Sequence, residues 1–302
     1  MIGGECFGGY FGRGEDGHYY LQSGHTDYRV FQLDGLDKIK RSQGTLEVSA
    51  AQMLAAQGNS EAKVAKAMEP KFAEIQEVPA TVKLAADPSQ WPGPWAIHWG
   101  DPHQPFPYAE IKAIRSGDRL YLAYHVKDPS PWTNQGKDWT MLFKTGDSVD
   151  FQFSTDPSAK PDRNAPVPGD RRLLIAPFQD QSIAVLYSYR EPGATAPMSF
   201  SSPWRAEKVD KVTELKSAKI SVVRGDGNYF LSVSVPLADL GLPPAGQAVE
   251  LRGDFGVIYG DSAGSMDLLR SYWSNQATGL VNDVPGEIMI VPRMWGTLKF
   301  EQ

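Results

Sequence analysis

Along most of this chain hydrophobic and polar residues alternate with the period of two that a β-strand imposes. The run Leu120–Val126 (LYLAYHV) ends at Lys127-Asp128-Pro129. In Ser148–Phe153, Val149, Phe151 and Phe153 fall on one face, and Ser148, Asp150 and Gln152 on the other. Similar runs recur at 108–115, 173–177, 183–189, 218–223, 229–236, 249–259, 269–274 and 297–300, separated by Gly, Pro, Asn and Asp. Many short strands at this spacing predict a mainly β fold, an antiparallel β-sandwich. Between the first two strands lies a polar loop carrying Trp132, Trp139 and several carboxylates. Loops of that kind on a rigid β scaffold commonly carry function.

The pattern changes upstream. Residues 1–48 read as a blade-like β-meander: Gly8-Gly9-Tyr10-Phe11, a turn at Glu15-Asp16-Gly17, strands at 18–22 and 28–33, a turn at Asp34-Gly35, and a strand at 44–48. Residues 49–77 read as a helical linker. Ser49-Ala50-Ala51-Gln52 is a capping-box pattern, and the alanine-rich run stops at Gly58-Asn59. A second helical stretch runs from Ser60 to about Met68, with Pro70 marking its end. The sandwich then occupies 78–302.

At 302 residues the chain is long enough to bury a sizeable core, and 41% hydrophobic with 22% charged residues is a globular composition. Its 29 Gly and 23 Pro suit strands joined by turns. A net charge of −6, with no Lys/Arg run longer than a few residues, argues against nucleic acid as a partner. The single cysteine, Cys6, excludes an internal disulfide, and its ordinary role is that of a small buried hydrophobe. No apolar run approaches the ~18 residues of a membrane-spanning helix, so membrane insertion is not expected. The N-terminus lacks the basic and apolar regions of a signal peptide. Met1 opens directly into strand-and-turn sequence, so the chain is expected to be the C-terminal part of a larger exported protein.

From about residue 78 to 302 the chain resembles a family-9 carbohydrate-binding module, within the wider DOMON-like group of sugar- and haem-binding sandwiches. The residues that carry this are Leu84–Trp91, the strand entering Lys127-Asp128-Pro129, Gly146–Phe153 and the hairpin Gly225–Phe230. Val235-Pro236-Leu237, Ser271-Tyr272-Trp273-Ser274 and the closing Pro292–Gly296 complete the set. Residues 1–48 are similar to the last blade of a β-propeller, which implies an upstream propeller domain absent from this chain. A lone blade has exposed edges and must pack, pair or stay poorly ordered.

The resemblance implies a non-catalytic module that binds polysaccharide or oligosaccharide, in an extracellular or periplasmic setting. Such modules stack sugar rings on aromatic faces and hydrogen-bond the hydroxyls with carboxylates, amides and Arg. Well-understood members clamp a terminal sugar between two tryptophans. Here Phe143 falls near the first of those positions and Met289 near the second, while the expected arginine falls at about Leu174. Asp150 occupies the place of the sugar-binding carboxylate. The candidate ligand-binding residues are therefore Trp132, Trp139, Asp150, Phe143 and Trp273, with the Trp91–Trp99 cluster as a further option. Trp91, Trp273 and Trp295 stand where core or sheet-closing residues usually do.

Structural Ca²⁺ is also implied, with Asp87 and Asp128 at the matching loop ends, although no Asp-x-Asp-x-Asp-Gly loop is present. Two alternatives remain open. One is a haem-binding redox sandwich with His125 as ligand, though no Cys-x-x-Cys-His occurs and Met141, Met266, Met289 and Met294 offer no distinguished partner. The other is a structural or docking domain of a propeller enzyme with no ligand site. No nucleophile elbow, P-loop, dinucleotide fingerprint or zinc spacing appears, and no carboxylate pair is singled out for acid/base work, all of which weighs against an enzyme.

Overall fold

Alternating side chains let each strand serve two layers at once, and this governs the computed structural model. It describes residues 11–22, 30–33, 69–79, 82, 84, 91–130, 132–276 and 282–301. The chain falls into two units, residues 1–68 and 69–302.

In the first unit, β1 (Phe11–Arg13), β2 (Tyr19–Gln22) and β3 (Val30–Leu33) form an antiparallel meander. Asp16 holds the β1–β2 turn, accepting from the His18 amide at 3.1 Å and the Tyr20 hydroxyl at 2.5 Å. The strand expected at 44–48 and the helices expected over 49–68 lie outside the described residues.

The second unit begins with a correction. Residues 72–77, read as the end of the helical linker, form strand β4 (Phe72–Glu77). Its alternation explains why: Ala73 and Ile75 are buried while Phe72 and Glu74 are exposed. β4 pairs in parallel with β18 (Gly296–Phe300) on one side and β6 (Tyr108–Ser116) on the other. It thereby joins two halves into one curled sheet.

One half contains β8 (Ser148–Ser154), β9 (Asp170–Phe178), β10 (Gln181–Ser188), β13 (Lys211–Glu214), β16 (Val249–Gly260), β17 (Asp267–Tyr272) and β18. The other contains β5 (Ile97–Gly100), β6, β7 (Arg119–Lys127), β14 (Lys219–Arg224) and β15 (Asn228–Pro236). The path runs β13-β10-β9-β8-β16-β18-β4-β6-β7-β15-β14, with β17 beside β16 and β5 beside β6. Alternate residues of the two halves meet in the main core: Leu122, Tyr124 and Val126 from one, Val149, Phe151 and Phe153 from the other. Phe151 stacks between Phe153 and Phe255 at 4.6 and 4.7 Å. This is the expected β-sandwich.

The outer face of β8 is covered as well. A 3₁₀ turn (Trp139–Lys144), the hairpin β11 (Met198–Ser201)–β12 (Ala206–Val209) and helix α2 (Val284–Ile288) supply a second apolar cluster. Helix α1 (Leu237–Leu240) follows β15. Ser148, Asp150 and Gln152, the polar face of the sequence pattern, are therefore buried like their neighbours.

Candidate functional site

The loop between β7 and β8 is fixed from within. Asp147 accepts the Thr133 and Gly260 amides, both at 2.6 Å. The Asn134 side chain donates to the Leu142 carbonyl at 2.8 Å and accepts from the Gly136 amide and the Thr145 hydroxyl. Held this way, Trp132 adopts a left-handed backbone with φ 60° and turns inward. It is 1% exposed, packs on Tyr229 at 5.0 Å, and donates its indole N–H to Ser182 Oγ at 2.9 Å.

Of the other expected ligand residues, Phe143 and Asp150 have no exposed surface and Trp273 almost none. Asp150 accepts from Arg172 Nε at 2.9 and 3.1 Å, the Tyr272 hydroxyl at 2.7 Å and Gln152 Nε2 at 3.2 Å. These three donors occupy most of the carboxylate's four or so lone-pair sites, and with no exposed surface Asp150 is out of reach of a sugar hydroxyl. Arg172 also donates to the Glu287 carbonyl at 2.8 Å, and its guanidinium covers the Phe143 ring at 5.1 Å. α2 and the β11–β12 hairpin thus seal the position where the resemblance places a sugar, and Asp150 and Phe143 serve as interior structure. Trp273 packs edge-on against Phe255, so close to the β18 backbone that a Cβ on Gly296 would stand 2.5 Å from its ring. Trp139 is half-buried at the start of the 3₁₀ turn, packed on the second cluster.

Trp132 does have one edge on a groove. The β9–β10 turn and β14 face each other across an opening of about 780 Å³. Ala218, Ile220, Val222 and Arg224, all on one face of the β14 segment, form one wall. Pro177, Ser182 and the β9–β10 turn form the other, with Trp132 between them. The rim residues Gln179, Asp180, Gln181 and Arg224 are exposed, and their side chains bond to no described residue. Three non-glycine residues have left-handed backbone among those described: Trp132, Gln179 (φ 55°) and Arg190. Two of the three line this groove, and such strain concentrates at functional sites.

Asp87 lies outside the described residues. Asp128 is buried and accepts the Ser130 amide at 2.8 Å through Oδ1, while Oδ2 has no hydrogen-bond donor. It faces Asp147, whose carboxyl is pushed up to about 8 by burial and by the Asp128 charge. Two buried carboxylates in contact need a shared proton or a cation, and Asp128 Oδ2 fits either. Among the described residues no group of three or more His, Cys, Asp or Glu converges as a metal cage. His125, weighed as a haem ligand, has Nδ1 3.0 Å from Glu110 and its ring stacked on Phe230 at 4.1 Å.

The sequence reading missed Arg172, the β9–β10 turn and the β14 wall. Arg172 could have been found, since it lies two residues before Leu174 on the same strand face. The groove could not, because it joins strands distant in sequence.

No protein-family model matches the chain, and no curated relative was found for it. Similar solved structures include a family-9 carbohydrate-binding module from Caldicellulosiruptor kristjanssonii in complex with glucose. It is 11% identical, with a TM-score of 0.41, over 76% of this chain and 96% of that one. A structure of such a module from the same organism in complex with cellotriose is 13% identical, with a TM-score of 0.41, over 76% and 94%.

Proposed function

We propose that the unit of residues 69–302 is a non-catalytic carbohydrate-binding module whose ligand lies in the groove beside Trp132. The observation that carries this reading is the pairing of an aliphatic wall with an unengaged polar rim. Ile220 and Val222 suit the apolar C–H face of a sugar ring. Gln179, Asp180, Gln181 and Arg224 supply the donors and acceptors its hydroxyls require. An exported setting, as the C-terminal part of a larger protein with a propeller upstream, belongs to the same reading and is supported by the sequence resemblance alone. Among the described residues no helix is long and apolar enough to cross a membrane. The test is isothermal titration of the chain against β-glucan, xylan and mannan oligosaccharides. Micromolar to millimolar binding to at least one class is expected, and flat titrations throughout would remove the reading.

Calcium forms part of the proposal, with Asp128 and Asp87, the latter outside the described residues, as the ligands the resemblance gives, and Asp147 facing Asp128 as a further oxygen donor. EDTA should then lower the melting temperature, and added Ca²⁺ should restore it; an unchanged melting temperature would assign the pair to a shared proton.

A second reading, a docking sandwich without a ligand site, draws support from the burial of Trp132 and the sealing of Asp150. It predicts flat titrations together with an unaltered fold in rim variants.

A further inference from the structure

Backbone groups along the edge of a sheet stay unpaired unless something adds to it, and native sheets commonly blunt such edges. In the curled sheet four strands have a single ladder partner among the described residues: β5, β13, β14 and β17. Three of them are blunted. β5 and β13 are four residues long, and β17 carries a bulge that leaves Leu268 unmatched between Asp267 and Leu269. β14 is not. It runs six residues in unbroken register with β15, holds no proline, and keeps its two cations, Lys219 and Arg224, at its ends.

The ladder fixes which backbone groups are left over. Across the β14–β15 turn the Gly225 amide donates to the Asn228 carbonyl at 2.8 Å. Hydrogen-bonded pairs alternate along an antiparallel ladder, so Lys219, Ser221 and Val223 bond to β15. Ile220, Val222 and Arg224 turn their N–H and C=O groups the other way, and these groups bond to no described residue. The same three residues line the groove, Ile220 and Val222 half-buried and Arg224 exposed. Free backbone and apolar wall therefore run side by side.

That combination selects the occupant. The free donors and acceptors recur at every second residue, about 6.6–6.8 Å apart at the usual strand rise. Another extended backbone repeats at the same spacing and meets them group for group. Alternate side chains of such a strand would pack on Ile220 and Val222. Acidic residues suit its ends, where Lys219 and Arg224 are exposed and bond to no described residue. The β9–β10 turn forms the opposite wall of the groove, which leaves room for one strand rather than for the sheet of a second copy.

We propose that β14 is a strand-addition site, its free edge taking an extended peptide with apolar residues at alternate positions and acidic residues at its ends. This goes beyond the carbohydrate reading, using the backbone of the edge where that reading uses side chains. A strand seated there fills the groove, so peptide and glycan compete for it, and each reading can fail alone. The test selects a randomised octapeptide library, displayed on phage, against the immobilised intact chain. Recovered peptides are synthesised with a fluorescein label, and their affinities for wild type and Val222→Pro are measured by fluorescence anisotropy. The Val222 amide makes no ladder bond, so proline at this position removes a free donor and leaves the pairing with β15 intact.

Selected peptides should alternate apolar and polar residues and lose roughly tenfold or more in affinity with Val222→Pro, as an unmade hydrogen bond at a packed edge implies. A second measurement does not depend on how that variant folds. N-methylation of alternate peptide residues removes backbone donors and keeps the side chains. It should weaken binding by roughly tenfold in one phase and little in the other. Recovery of no peptide, indifference to both N-methylation patterns, or equal affinity in a folded Val222→Pro protein would each overturn strand addition and leave the carbohydrate reading untouched. Hexasaccharides of β-glucan, xylan and mannan are titrated alone and as competitors, and one that binds should displace the peptide. A hexasaccharide that binds without displacing a Val222-dependent peptide would overturn the groove as the glycan site and leave strand addition standing.

Discussion

Asp150 and Arg172 are both fully buried and form an ion pair at 2.9 Å, and the Tyr272 hydroxyl also donates to the carboxylate. A buried pair of this kind contributes little relative to an apolar pair, yet removing one partner strands the other charge at about 3–5 kcal/mol. Asp150→Ala should lower stability in urea by that amount while leaving glycan affinity of the folded fraction unchanged. A selective loss of affinity at full stability would return Asp150 to the role that the resemblance gives it. A second residue-scale prediction concerns Asp267. Lys144 donates to Asp267 at 3.1 Å and to Glu287 at 2.8 Å, and Asp267 Oδ2 and Glu287 Oε2 are left without a donor. Burial, together with the Glu287 charge, pushes the Asp267 carboxyl up to about 7, which fits a proton held between the two acids. A raised carboxyl stabilises the fold fully below its unfolded value near 4, and that stability is lost as pH rises through about 7. The melting temperature should therefore fall between pH 5 and 8, and Asp267→Asn should flatten the fall. An equal slope in the variant would contradict this assignment.

At the scale of elements, the long strands were legible because their alternation persists over many residues. β7 (Arg119–Lys127) and β15 (Asn228–Pro236) each lie within one or two residues of the runs read from sequence. β4 was hidden by its context. It follows helix-favouring sequence, its alternation is short, and its parallel partners β18 and β6 are distant along the chain. β5, β11, β12 and β13 are four residues each, too short for periodicity to separate from loop. The second layer over β8 was illegible for a related reason. Alternation in Ser148–Phe153 indicates which residues share a face, but not whether another element covers the polar one. That cover is what converts Asp150 and Phe143 from ligand candidates to interior residues. β4 gives the prediction that belongs here. It joins the two halves of the sheet, and Ile75 within it has no exposed surface. Arg115 secures the same seam, lying 3.3 Å from Glu77 and donating to the Glu301 carbonyl at 2.5 Å. Ile75→Ala should cost about 2–5 kcal/mol in urea unfolding, whereas a loss below ~0.5 kcal/mol, typical of a surface position, would show that β4 is an appendage.

For the whole molecule, the closed and open regions of the sandwich point the same way. One outer face is filled by its own hairpin and helix, while the seam between the β9–β10 turn and β14 stays open, with Gln179, Asp180, Gln181 and Arg224 unengaged at its rim. A sandwich that had only to hold itself together would gain by closing that seam, since ordered polar side chains and strained backbone both cost free energy. The central claim is that this seam binds glycan. Its most direct test is isothermal titration of the tightest-binding oligosaccharide into wild type and the doubly substituted Gln181→Ala/Arg224→Ala protein, with melting temperatures measured alongside. Loss of at least tenfold in affinity at an unchanged melting temperature is the predicted result. Equal affinity in the two proteins would contradict it and place the ligand elsewhere on the molecule.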